Sequence, residues 1–308
     1  MTSPIPYMGA TGGPEITVDT LINDPTMVPA LVMSLADQMF LADALFRGFG
    51  GVQGGAVLYE ESTPLYGDAG TDGDIVYEEW SEIPAAVGIL GKPRVARVKP
   101  RALAVKISER MRRWNQLDRV NNQITQVVNT FVDKIDRAAM SLLLSNSAIP
   151  TQPATTPWTE YATAVPLNDI LLGKRTVRTQ KDSQGNEFGF IPDTIVLNDG
   201  AEADLLLNTA VQTLYRGSSA PDNPIFKGQW NTDMLQLNWL FSPRMDEDKA
   251  LLLQSKKVGF IGDDVPMTST PLYQERPATE TWRSDTKRWS AMGVDQPLAA
   301  CVITGITA

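Results

Sequence analysis

From Met111 onward, apolar residues recur at intervals of three and four: Trp114, Leu117, Val120, Ile124, Val127, Val128, Phe131, Val132, Ile135, Ala138, Ala139 and Leu142. That spacing puts them on one face of an α-helix of roughly nine turns, about 50 Å long at ~1.5 Å per residue. Asn115, Gln116, Asn122, Gln126, Asn129 and Asp133 fall on the opposite face. Ser108 is a candidate N-cap, and Asp118 a second if the helix begins late. No heptad is sustained, so the pattern predicts one face laid on a sheet and not a coiled coil. A second helical pattern spans Thr20 to Phe46, with Leu31, Leu35, Met39, Ala42 and Phe46 in step and Asp24-Pro25 at a helix entry.

Between these helices the period changes. Ala56–Glu60 (AVLYE) and Asp74–Trp80 (DIVYEEW) read as strands around the turn GDAGTDGD, and Val95–Ile107 alternates in part. Residues 48–107 therefore predict a long β excursion, too poor in large apolar residues to fold alone. Its opening glycines, GFGGVQGGA, lack the Gly-Lys-Ser/Thr ending of a phosphate-binding loop, and in GILGKP the hydroxyl position is Pro93. A flexible hinge is the expectation there. NSAIPTQPATTPWTEYATAVP, residues 146–166, marks a boundary rich in Pro and Thr. Beyond it come a helix at Leu167–Val177, a polar turn KDSQGNEFGF, and a buried strand at Thr194–Leu197. A helix capped at Asn198 or Asp199 follows, then strands at Met234–Phe241 and Ala250–Gln254. A polar extended segment runs from Val258 to Trp289, and Pro297–Ile306 reads as a buried strand.

Composition then narrows the chemistry. At 308 residues and 43% hydrophobic, the chain can bury a large core in roughly two domains. Its 21 prolines and 23 glycines suit a loop-rich chain with extended arms. No apolar run approaches the ~18 residues of a membrane span, and MTSPIPYMGATGGPE does not read as a secretory signal. The absence of histidine removes Ser-His-Asp and Cys-His catalysis and His-bearing metal sites. The single cysteine, Cys301 in LAACVIT, reads as a small buried apolar residue, and intrachain disulfides are excluded, which fits a reducing compartment. No cofactor is expected. A net charge of -9 argues against an electrostatic nucleic-acid binder.

The charge is unevenly written. From Glu60 to Glu82 the chain carries Glu60, Glu61, Asp68, Asp72, Asp74, Glu78, Glu79 and Glu82 with no Lys or Arg. From Gly91 to Met111 it carries Lys92, Arg94, Arg97, Lys99, Arg101, Lys106 and Arg110 against Glu109 alone. The excursion thus has an acidic leg followed by a basic leg.

Four stretches carry a resemblance: EEWSEIPAAV (78–87), RALAVKISERMRRW (101–114), IPDTIVLNDGAEADLLLN (191–208) and TWRSDTKRWSAMGVDQPLAACVITGI (281–306). In this order they resemble the extended-loop tip, the strand-to-spine junction, the axial strand and helix, and the ending of the major capsid proteins of tailed bacteriophages. The resemblance implies the α+β Hong Kong 97-type capsid fold. Residues 1–47 would form an N-terminal arm and short helix, 48–107 the extended β loop, and 108–147 the spine helix of a peripheral domain. The axial domain would take 148–257, an extended β segment of the peripheral domain 258–293, and a terminal strand returning to the axial domain 294–308.

The function it implies is a non-enzymatic shell protein whose hexamers and pentamers form an icosahedral head around double-stranded DNA, assembled in a bacterial cytoplasm. The implied partners are the chain itself, a separate scaffolding protein, a portal and decoration proteins, with packaged DNA held without sequence-specific binding and no membrane. Within the same fold, an encapsulin-like compartment is the alternative. A carboxylate-based hydrolase, or a tail tube or connector, are readings of other kinds. Glu78, Glu79, Glu82, Arg94, Arg97, Lys99 and Arg101 are the expected assembly contacts, pairing within the hairpin and presenting a patterned surface to the next subunit. A solvated hairpin with ordinary surface charges is the plain alternative. Some family members form a Lys–Asn crosslink, but EEWSEIPAAV has no lysine and predicts no covalent seal. The chain has no Glu/Lys-rich helical N-terminal extension, so a separate scaffold, or removal of a segment ahead of this numbering, is expected, and Met1 as first residue favours the scaffold.

Overall fold

The structure is a computed structural model and describes residues 17–36, 40–61, 79–82, 91–181, 185–215, 230, 234–276 and 280–307. The predicted long helix is present in two pieces. Ser108 caps α4 (Glu109–Arg113), its hydroxyl accepting from the Met111 amide, and α5 (Leu117–Leu144) runs for 28 residues, about 42 Å. Between them Asn115 takes a positive φ of 46°. The break rotates Trp114 off the apolar stripe and leaves it 60% exposed. Asp118 sits in the first turn of α5, where the helix dipole favours an acid, and does not cap it.

The N-terminal pattern is not one helix. It divides into α1 (Val18–Asn23), α2 (Met27–Ala36) and α3 (Leu41–Leu45). Asp24 accepts from the Thr26 amide at 2.9 Å and so turns the chain into α2. The buried positions of α2 are Val28, Val32 and Ala36, a spacing of four, while Leu31 and Leu35 pack only partly against the core. Met39 lies outside the described residues.

Two five-stranded sheets organise the rest. In the first, β1 (Arg47–Gly51) runs parallel to β9 (Phe260–Ser269), and β11 (Thr281–Gly293) lies antiparallel between β9 and β4 (Lys99–Ser108). Short β10 (Tyr273–Arg276) extends the β9 side of β11. The expected hinge at Gly48–Ala56 is thus a strand followed by a turn, because β9 supplies a partner ladder that overrides weak strand propensity. Its register shifts between Gly48 and Gly51, and Gly50 there holds φ +85°, a bulge geometry that favours glycine.

The second sheet is ordered β5 (Thr151–Pro153), β12 (Ala300–Thr304), β8 (Lys249–Leu253), β6 (Thr194–Leu197), β7 (Asn238–Phe241). Its central strands read as continuous apolar runs because both faces are covered. Val196, Leu251, Leu253 and Val302 join the α5 core, while Ile195, Leu197, Leu252 and Ile303 face a second core. That second core holds α6 (Pro166–Arg178) through Ile170 and α7 (Asp199–Leu207) through Leu205. Asn198 caps α7 by accepting from the Gly200 amide, and α8 (Thr209–Tyr215) follows. Met234–Gln236, expected within a strand, form a 3-10 turn before β7. Cys301 is fully buried in β12, and burial pushes its thiol up to about 11.

Candidate assembly surface

The base of the charged excursion is a two-stranded ribbon. β2 (Ala56–Tyr59) pairs antiparallel with β3 (Arg94–Arg97), setting Val57 opposite Ala96 and Leu58 opposite Val95. Strand alternation gives the ribbon two unlike faces. On one, Val57 and Ala96 are buried with Val52, Phe260 and Ala291, and the Tyr59 ring meets Phe260 edge-on at 5.1 Å. On the other, Leu58 and Val95 stand directly opposite each other at 66% and 57% exposure, beside exposed Arg97. The inner face secures the ribbon to the first sheet. The outer face presents an apolar pair that stays more than half exposed.

The expected contact residues do not all stay on this arm. Arg94 pairs with Glu61 at 2.6 Å, an ion pair between the two legs; an exposed pair of this kind contributes about 0–1 kcal/mol. Lys99 opens β4 and is exposed opposite Ser290. Arg101 turns into the body of the sheet. It donates to Ser290 Oγ at 3.3 Å and lies in register with Arg288, and burial, reinforced by that like charge, holds its guanidinium below the usual range. Glu79 and Glu82 are exposed, while Glu78 lies outside the described residues. Asp74–Trp80 was expected as a strand; residues 74–78 lie outside the described residues, and Glu79 and Trp80 form a turn. Trp80 has φ +75° and is 96% exposed.

Other charged groups hold the scaffold that carries the arm. Arg288 is buried in β11 and binds the Asp43 carboxylate with two donors at 2.8 and 3.0 Å and Asp263 at 3.1 Å, its guanidinium 4.9 Å from the Phe40 ring. Desolvation opposes that charge, but the two carboxylates outweigh it and push the guanidinium further up. The clamp ties α3, β9 and β11 together. On the second side of α3, fully buried Asp136 of α5 accepts from the Ala42 amide at 3.0 Å and meets Arg244 at 3.3 Å. Lys106, Glu275, Arg283, Asp285 and Tyr273 form an ionic chain across β4, β11 and β10. Pattern reading found none of these. The one local signal was an acid, Asp136, inside the apolar stripe between Ile135 and Ala139. These carboxylates are spent on structure, and no His, Cys, Asp and Glu group among the described residues is placed to hold a metal ion.

Comparison with known proteins bears on what such a surface serves. A family model described as phage capsid protein matches residues 91–303. Among solved structures, a virus-like particle from Pyrococcus furiosus aligns at a TM-score of 0.57 and 13% identity, covering 90% of this chain and 98% of that one. A phage-related protein from Bordetella bronchiseptica aligns at 0.61 and 12%, covering 90% and 96%. The capsid of Myoviridae phage XM1 aligns at 0.54 and 12%, covering 85% and 89%. No curated protein matches the sequence.

Proposed function

The chain belongs to the phage capsid protein family, and from that premise we propose the arrangement in which it works: hexamers and pentamers closing an icosahedral head around double-stranded DNA. A member of this family is a structural component of the virion shell, assembled from copies of itself, so the hydrolase reading falls away. The fold is the α+β Hong Kong 97-type capsid fold.

In the proposed arrangement, residues 148–257, built on the second sheet, meet their copies at the capsomer centre. Residues 108–147 and 258–293 form the periphery toward neighbouring capsomers, and residues 48–107 reach over an adjacent subunit. The observation that carries this reading is the outer face of the β2–β3 ribbon. Leu58 and Val95 form an apolar pair that stays 66% and 57% exposed on its own subunit. Covering both is worth at most about 2–4 kcal/mol, too little for one contact but sufficient when repeated around a closed lattice. Arg94, Arg97, Lys99, Glu79 and Glu82 would set register and penalise wrong pairings more than they add affinity.

The net charge of -9 fits a shell that encloses DNA without reading it. A scaffolding protein, a portal and decoration proteins are the partners this role calls for. An encapsulin-like compartment uses the same fold, but the family match favours a virion. Negative-stain imaging and sedimentation of the purified protein test the proposal: closed polyhedral particles are expected, and a single species near 33.7 kDa at every concentration would overturn it. Nuclease-protected double-stranded DNA in native particles separates a head from a protein-filled compartment.

A further inference from the structure

Trp80 is the most exposed large apolar residue among those described, and its turn, Glu79-Trp80-Ser81-Glu82, carries two acids and no base. Neither Glu79 nor Glu82 has an ion-pair partner among the described residues, and no Lys or Arg occurs between Glu60 and Glu82. An indole standing 96% in solvent beside unneutralised acids is an interface anchor without its interface.

One surface of the same chain has the opposite character. At the α4–α5 break, Trp114 is 60% exposed, and the Arg110 guanidinium lies 4.1 Å from its ring centre. Arg110 forms no ion pair among the described residues. Arg113, one turn along, is steadied by Glu109 at 2.9 Å, yet its side chain stays 71% exposed. The patch is aromatic and cationic where the turn is aromatic and anionic. Both tryptophans are exposed in the same subunit, so the subunit does not satisfy one with the other.

We propose that the turn 79–82 of one copy docks on the Arg110–Arg113–Trp114 patch of a second copy, with Trp80 as the apolar anchor and Glu79 and Glu82 facing Arg110 and Arg113. This rests on the shell reading and specifies one contact within it. Arg110 is already stacked on Trp114, so Trp80 would meet an ordered cation and a flat apolar edge, a geometry that favours indole. The acids gain charge-assisted partners as both surfaces lose water.

Charge exchange tests the contact. Glu79→Arg with Glu82→Arg, or separately Arg110→Glu with Arg113→Glu, should raise the concentration needed for shell assembly by about tenfold or more. Combining all four changes should bring it back toward the starting value. As a second measure, Glu79→Cys with Arg113→Cys should, on oxidation of particles, give a non-reducing ladder in multiples of 33.7 kDa, since buried Cys301 contributes no thiol. Each cysteine alone should give no ladder. If the unaltered chain forms closed shells but both reversals assemble like it, or the combined exchange fails to rescue and no ladder forms, the contact is wrong while the shell reading stands. If the unaltered chain forms neither shells nor capsomer-sized oligomers at any concentration, the shell reading itself fails.

Discussion

Replacing Asp136 with alanine removes a side chain that joins three elements. Its Oδ1 accepts from the Ala42 amide at 3.0 Å, and its Oδ2 lies 3.3 Å from Arg244 Nη1. The side chain is fully buried, so alanine strands the Ala42 amide in the first turn of α3 where water does not reach and leaves Arg244 without its nearer carboxylate. An orphaned buried donor costs about 1–3 kcal/mol. Arg244 keeps Asp133 at 3.6 Å, so its share is smaller. Allowing for fraying of a five-residue helix, the expected loss is about 3 kcal/mol. With a urea slope of ~3 kcal/mol/M for a chain of this size, the unfolding midpoint of dissociated subunits should fall by about 1 M.

Asp136→Asn makes the reasoning sharper. It keeps an acceptor for the Ala42 amide and gives up the charge. Burial pushes the Asp136 carboxyl above its usual range, against the pull of the nearby α3 backbone and Arg244. The ionised group is therefore poorly compensated, and the amide should fall within about 1 kcal/mol of the parent. A raised folded pKa means the folded state binds the proton more tightly. This group's contribution is therefore fullest below its ordinary value near 3.8 and is lost as pH rises through the folded one. The asparagine should lack that slope. An alanine variant within about 0.5 kcal/mol of the parent, or an asparagine variant as weak as alanine, would refute the account.

Glu275 is held below the usual carboxylate range by hydrogen bonds from Lys106 and Arg283. Asp285 is held there by Tyr273 and Arg283 against an opposing desolvation. Their contribution should be present above the ordinary values and disappear as pH falls through the depressed ones, so Glu275→Gln and the parent should converge in stability at acid pH. A constant difference down to pH 2 would contradict this. Cys301 should resist thiol reagents at neutral pH until the subunit unfolds, and modification at the rate of a free thiol would place it elsewhere. Asp169 accepts from the Thr155 amide and hydroxyl and from Trp158 Nε1, and alanine there should cost about 2–4 kcal/mol in subunit unfolding; a change under 1 would be a failure. Boiling particles in detergent should release a band at 33.7 kDa, and a ladder would reveal covalent seals.

What the linear chain made readable was whatever depends on near neighbours. Thr194–Leu197 is a threonine and three apolar residues closed by Asn198, and both the strand and its cap are found where the pattern puts them. The spine helix follows its spacing except at Asn115, where a left-handed residue breaks it and turns Trp114 outward. The glycines after Arg47 read as a hinge because their partner strand, β9, lies two hundred residues away in the chain. Arg288 and Asp43 are separated by 245 positions and Asp136 and Ala42 by 94, so no local pattern links them. Charge segregation along the excursion was legible. Its division was not: Arg94 reaches Glu61, whereas Arg101 is drawn inward by pairing with β11.

A cryo-electron microscopy reconstruction of the assembled particle bears most directly on the claim that this chain is completed by its own copies. The account predicts a closed shell in which the β2–β3 ribbon of each subunit lies with Leu58 and Val95 against a neighbouring subunit. A closed shell with that face in solvent, or with the ribbon folded onto its own subunit, would contradict it.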